Sequence, residues 1–253
     1  MANAKHLIAY TAWDLTTRIF HWLNVICITG LMIVGTIIIN YKLLGITTDG
    51  KILLKTVHVT IGYIFVVNLI WRLIWGFIGG KYSRWKMILP SGKEYFHSLR
   101  EYITSIKSGE PPAYLGHNPV ARLMVGLLFL LLITQAITGL LLAGTDVYMP
   151  PFGNQVIEYI AAVDENQNRI GEIRAGYKDN IDETAYQRMR TFRKPVITTH
   201  YFVFFFLLAA VFMHILAVIV TEVKEKNAIV SAMITGKKYF SCKPVDIDEE
   251  ESG

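Results

Sequence analysis

Cysteine is nearly absent: two among 253 residues, Cys27 inside an apolar run and Cys242 in a charged tail. That pattern excludes a disulfide framework and a thiolate metal site. Charge is also scarce, at 18% Asp, Glu, Lys and Arg against 53% hydrophobic residues, and the mean hydropathy of +0.38 is too high for an ordinary soluble domain. The apolar stretches lack the polar alternation of a membrane barrel. No internal repeat stands out. The first seventeen residues, MANAKHLIAYTAWDLTT, have no apolar core or small-residue cleavage site. They predict no removable signal peptide, so the first helix is expected to act as its own insertion signal. The net charge of +5 is spread through loops beside hydrophobic runs, which fits membrane topology and not nucleic-acid binding.

What is present is a set of long apolar runs. Residues 19–39, 56–78, 123–143 and 196–221 each approach or exceed the ~20 residues that cross a hydrocarbon core. Lipid cannot satisfy open backbone groups, so the expected fold is an all-α integral membrane protein, a bundle of four transmembrane helices. One such domain is expected over 1–240, with a disordered acidic tail over 241–253. Ser91 to Ser108 spaces Tyr95, Leu99, Tyr102, Ile103 and Ile106 at helical intervals and predicts an amphipathic helix at the membrane interface. Asn118 and Pro119 read as N-cap and first residue of the third span. A long loop, 144–195, joins the third and fourth spans, with a short helix expected near Asn154 to Val163. Fourteen Lys and Arg fall on the side of the termini and ten on the other, seven of those in the long loop. Long loops weigh little, so both termini are expected in the cytoplasm and the protein in the cytoplasmic (inner) membrane, with lipid around it and the long loop periplasmic.

Each ionisable residue within a span is a candidate for function. His200 and His214 lie fourteen residues apart in the fourth span, a step that returns to nearly the same helix face ~21 Å along the axis. With alternating helix directions, His58 shares the outer level with His200, and His21 the inner level with His214. Two imidazoles on opposite faces of a macrocycle make a six-coordinate haem, so two haem b groups are expected. His58 plus fourteen is Arg72, a cation for haem propionates, and His21 plus fourteen is Gly35, which leaves room beside the first helix for the outer porphyrin. Trp71, Trp75, Phe202, Phe204, Phe205 and Phe206 are candidates to pack on the macrocycles. Blander alternatives remain: an interhelical hydrogen bond for any single histidine, snorkelling for Arg72, and lipid contact or core packing for the aromatics. The third span, with Thr134, Gln135 and Thr138, walls the site without ligating metal. His117 and Arg122 sit where a quinone headgroup could bind, or His117 is simply a turn residue ahead of a helix.

The strings RIFHW (18–22), KTVH ending at His58, WRLIWGFIG containing Arg72, GHNPVAR (116–122) and SAMITGKK (231–238) resemble a bacterial family. It is the cytochrome b subunit of nickel-iron hydrogenases, within the wider bacterial cytochrome b561 group, and the resemblance runs from Thr11 to about Lys238. It implies a four-helix di-haem b cytochrome, with ligands on His21, His58, His200 and His214, passing electrons between the quinone pool and a redox protein outside the cytoplasmic membrane. The loop 144–195 is longer than in hydrogenase subunits, leaving a periplasmic hydrogenase small subunit or a cytochrome c as partner. An electron-transfer subunit is expected before a stand-alone enzyme. Two other classes compete: a quinone-linked oxidoreductase acting on superoxide or a ferric substrate, and a zinc or proton pathway without haem.

Overall fold

The computed structural model describes residues 7–109, 111–165, 168–225 and 228–247. In chain order it contains β1 (Ile8–Thr11), α1 (Leu15–Ile39), α2 (Thr48–Ile78), a 3-10 turn (Lys81–Ser83), α3 (Trp85–Ile88), α4 (Lys93–Ser108), α5 (Pro119–Val147), α6 (Gly153–Ile160), α7 (Glu183–Glu225), α8 (Ile229–Thr235) and β2 (Lys237–Phe240). The four long helices α1, α2, α5 and α7 are each long and apolar enough to cross a membrane. The all-α membrane fold, the amphipathic α4 and the short α6 agree with the sequence expectation.

The helices outrun their apolar cores because polar residues start them. Asp14 accepts the Thr17 N–H at 2.7 Å ahead of α1, and Asn118 accepts the Ala121 N–H at 2.8 Å ahead of α5, where Pro119 occupies the first helical position. Asp182 does the same for Ala185 at 2.8 Å, and α7 then continues for 43 residues with Pro195 inside it. The expected loop 144–195 is therefore shorter, and the charged run AYQRMRTFRK is helical. Its residues include good helix formers, and a proline costs less where a long helix is otherwise supported.

The chain forms two compact units. The first comprises Met1–Leu23, Leu69–Leu130 and Leu208–Gly253; the second comprises Asn24–Asn68 and Leu131–Leu207. Each of the four long helices contributes to both. In the first unit β1 pairs antiparallel with β2, Ile8 opposite Phe240 and Thr11 opposite Lys237. Behind this ribbon Ala12, Trp13, Tyr82, Leu115, Ala232 and Phe240 form a core. The disordered tail expected from residue 241 requires correction over 241–247. Asp246 accepts the N–H groups of Leu115 and Gly116 at 2.7 and 2.8 Å, and Pro244 is fully buried. Two charge-assisted hydrogen bonds hold this stretch that composition alone marked as free; residues 248–253 lie outside the described residues. In the second unit Ile160, Ile173 and Met189 form a small core beneath the loop segment.

Candidate metal centres

Both histidine pairs fall within single units. In the second unit, His58 of α2 faces His200 of α7 with ring centroids 6.4 Å apart and planes at 75°. Two imidazoles each ~2 Å from one metal ion would bring their ring centres to ~6 Å, so the separation suits a shared iron. A Cβ on Gly35 would stand 3.4 Å from His58 Cε1, and one on Gly139 would stand 3.5 Å from His200 Cε1. Gly35 of α1 and Gly139 of α5 thus each lie against one ring, where an added Cβ would make ordinary contact. Gly35, expected to leave room beside α1 for the outer porphyrin, lies at the His58 imidazole edge.

His200 has polar partners on α5. Its Nδ1 lies 2.8 Å from Thr138 Oγ1, and the Thr138 hydroxyl donates to the Thr134 carbonyl at 2.7 Å. With its own proton so committed, Thr138 oxygen accepts from Nδ1–H, which leaves His200 Nε2 as the free lone pair for a metal. Gln135 lies 2.9 Å from the same nitrogen: its amide oxygen can share the Nδ1 proton of the metal-binding tautomer, whereas the flipped amide donates to Nδ1 and goes with the other tautomer. Thr138 and Gln135 therefore orient a candidate ligand as well as walling the site. Further along the same helices Asp146 of α5 bonds to Lys55 of α2 and, at 2.8 Å, to Arg193 of α7. This half-buried trio fixes α2 three residues before His58 and α7 seven before His200.

In the first unit His21 of α1 and His214 of α7 are close enough to interact electrostatically. The Nδ1 atoms of His21 and His58 are buried without a hydrogen-bond partner among the described residues. Such an orphan costs ~1–3 kcal/mol, a poor outcome for histidines whose purpose is to bond between helices. Among the described residues no three His, Cys, Asp or Glu side chains converge on one point. Two protein ligands fall short of a tetrahedral zinc site, whereas a haem iron needs only axial ligands.

Arg72, in the same unit, is 3% exposed and does not snorkel. Its guanidinium sits 5.8, 5.3 and 5.5 Å from the rings of Phe20, Trp85 and Phe129, and Nη2 donates to the Ser83 carbonyl at 3.1 Å. Nη1 is buried with no partner among the described residues. A buried cation with a spare donor fits an anionic group such as a haem propionate. Ser83 Oγ donates to Asp14 at 2.6 Å, and Trp75 Nε1 to the same carboxylate at 3.2 Å. Burial alone would raise the Asp14 carboxyl; the bonds from Ser83, the Thr17 N–H and Trp75 outweigh it and hold the group below the usual range. Of the aromatics suggested by sequence, Trp71, Phe202, Phe205 and Phe206 are exposed, and Trp75 serves Asp14. The box of Phe20, Trp85 and Phe129 was not foreseen.

His117 packs on Trp13 with ring centroids 4.8 Å apart, and its Nδ1 is buried without a partner among the described residues. Burial first, then the cations Lys238, Arg72 and Arg122 and the imidazole of His214, push its pKa down to about 3. It is a neutral imidazole at pH 7, suited to hydrogen bonding and not to carrying a positive charge. Arg122 Nη2 donates to the carbonyls of Lys86 and Leu89 at 3.0 and 2.5 Å, while its Nε is buried without a partner among the described residues.

A family model described as prokaryotic cytochrome b561 matches residues 12–236. The chain is 29% identical over 147 residues to the Escherichia coli K12 "Probable Ni/Fe-hydrogenase 1 B-type cytochrome subunit", covering 54% of this chain and 61% of that protein. It is 24% identical over 238 residues to the Bradyrhizobium diazoefficiens "Probable Ni/Fe-hydrogenase B-type cytochrome subunit", covering 90% and 85%. The Cupriavidus necator protein of the same description is 22% identical over 253 residues, covering 95% and 91%.

Proposed function

Because the chain belongs to the prokaryotic cytochrome b561 family, and is thus a multi-pass membrane cytochrome b, we propose that it carries electrons through two haem b groups. One is held by His58 and His200, the other by His21 and His214. The observation that carries this reading is the pairing of imidazoles within single units, above all the 6.4 Å between the rings of His58 and His200. Haem b supplies a one-electron ferric–ferrous change at iron.

The protein's own residues do the rest. The four imidazoles bind the two irons, Thr138 sets the tautomer of His200, and Arg72 offers Nη1 to a propionate in the His21–His214 site. The apolar faces of α1, α2, α5 and α7 keep water away. Electrons pass between the quinone pool and a redox partner on the periplasmic side, with both termini in the cytoplasm. The names of the relatives make a nickel-iron hydrogenase the first partner to test on that side, with a cytochrome c as the other candidate. Moving charge across the membrane in this way works with or against ~2.3 kcal/mol per 100 mV. His117, beside Arg122, is the proposed quinone residue: neutral, with a buried nitrogen free to accept a quinol O–H or, as the other tautomer, to donate to a quinone carbonyl. A reduced-minus-oxidised spectrum with haem quantitation on the purified protein is expected to give two non-covalent b haems per chain. A single haem, or none, rejects the assignment.

A further inference from the structure

Helix α4 shows its apolar residues to two different surroundings. Tyr95 and Tyr102 are buried: Tyr95 Oη donates to the Pro119 carbonyl at 2.9 Å, Asn118 Nδ2 donates to Tyr102 Oη at 2.9 Å, and the Tyr102 and Tyr114 rings stand 5.7 Å apart. The Arg122 guanidinium lies 5.0 Å over the Tyr95 ring. These contacts fix the roll of α4 about its axis. Phe96 is left 63% exposed and Ile103 43% exposed about a quarter-turn around the helix from those tyrosines, and Ile106, also 43% exposed, lies one turn beyond Tyr102.

The residues holding α4, Asn118 and Pro119, cap and begin α5, which is long and apolar enough to cross a membrane. On the first turns of α5, Val120 and Leu123 are exposed as well. The bare face of α4 therefore lies at the level where α5 enters the bilayer. Beside that face runs a basic stripe. Lys93, Arg100 and Lys107 are seven residues apart, a spacing that drifts only ~20° per step around a helix. All three are exposed, and their side chains form no hydrogen bond or ion pair among the described residues. A shallow groove of about 340 Å³ is lined by Phe96, Leu99, Arg100, Ile103, Thr104 and Lys107, joining the apolar strip to two of the cations. The acids of α4 lie elsewhere on the wheel: Glu101 pairs with His97 at 3.3 Å, and Glu94 precedes it by seven residues.

We propose that α4 lies in the headgroup layer and binds anionic phospholipid, with phosphates along Lys93, Arg100 and Lys107 and acyl chains against Phe96, Ile103 and Ile106. An apolar strip bordered by cations at interfacial depth is complementary to a negatively charged lipid surface. A zwitterionic bilayer would satisfy the strip but not the stripe.

The test uses the full-length protein in phosphatidylcholine nanodiscs containing a minority of phosphatidylglycerol. The ratio of the two lipids retained through detergent dilution is measured by mass spectrometry. Wild type is expected to enrich phosphatidylglycerol, less so at high salt. Each neutralised cation should lower the enrichment roughly fivefold, so that K93Q/R100Q/K107Q falls to background. The charge-preserving K93R/R100K/K107R keeps it, and R100Q alone gives the single step should the triple variant fold poorly. Absence of enrichment in wild type, or equal enrichment in the triple variant, overturns the proposal. So does cross-linking of Phe96→Cys to a second copy or another protein with lipid preference unchanged. The readout is lipid composition, so it stands apart from haem binding and electron transfer.

Discussion

In the unit that holds His58 and His200, each imidazole has a glycine against its Cε1 and one ring is oriented by Thr138. In the unit that holds His21 and His214, the neighbour of note is a buried arginine in an aromatic box, backed by Ser83 and Asp14. Both offer two imidazoles, yet one is shaped by close approach and a ring hydrogen bond, the other by a fixed charge. Identical ligands in different surroundings give a protein two separate handles on iron potential.

The comparison breaks first at the ligands. His58→Ala and His200→Ala are each expected to remove one haem from the purified protein and leave the other, whereas His21→Ala and His214→Ala remove the opposite one; potentiometric titration of the surviving haem identifies it. Next in size is Arg72→Gln. Loss of a buried cation favours the ferric form, so the midpoint of the His21–His214 haem should fall by on the order of 50 mV, the effect of one charge at an effective dielectric of about 20. Arg72→Lys should restore much of it, and the other haem should not move. Thr138→Val makes the converse change in the second unit. Without an acceptor for Nδ1–H the ligand becomes less basic, the midpoint of that haem rises, and its affinity falls ~10–100-fold.

His117 separates the units by pH. Its pKa, pushed from 6.5 to about 3 in the folded protein, means the unfolded chain binds the extra proton first as pH drops. Its contribution to stability is complete above pH 6.5 and is lost between there and about pH 3. His117→Gln should flatten the acid-side decline in melting temperature across that window. The smallest effect is expected of Gly35→Ala and Gly139→Ala. The added Cβ meets an imidazole edge at ordinary contact distance, so these variants should retain both haems and shift only the His58–His200 spectrum.

The four spans and the approach of His58 to His200 were legible because lipid makes an unexplained imidazole expensive, and because depth follows from helix direction. Gly139 was within reach of the same reasoning, since Gln135, Thr138 and Gly139 share one helix face at three- and four-residue steps. The rest depended on tertiary placement. The segments IAYT and KKYF pair from opposite ends of the chain, and neither four-residue strand carries a local signal. Nothing in the run to Pro195 announces a helix that continues through it, and the Asp146 link to Lys55 and Arg193 joins three helices far apart in sequence. The box around Arg72 draws on three separate helices, α1, α3 and α5, around a residue of α2.

Haem content of paired histidine variants is the most direct measure of the central claim. His58→Ala combined with His200→Ala should leave one haem per chain, because both changes strike one site, and His58→Ala combined with His21→Ala should leave none. One haem retained by the His21 and His58 double variant, with none in the His58 and His200 double variant, would contradict the pairing.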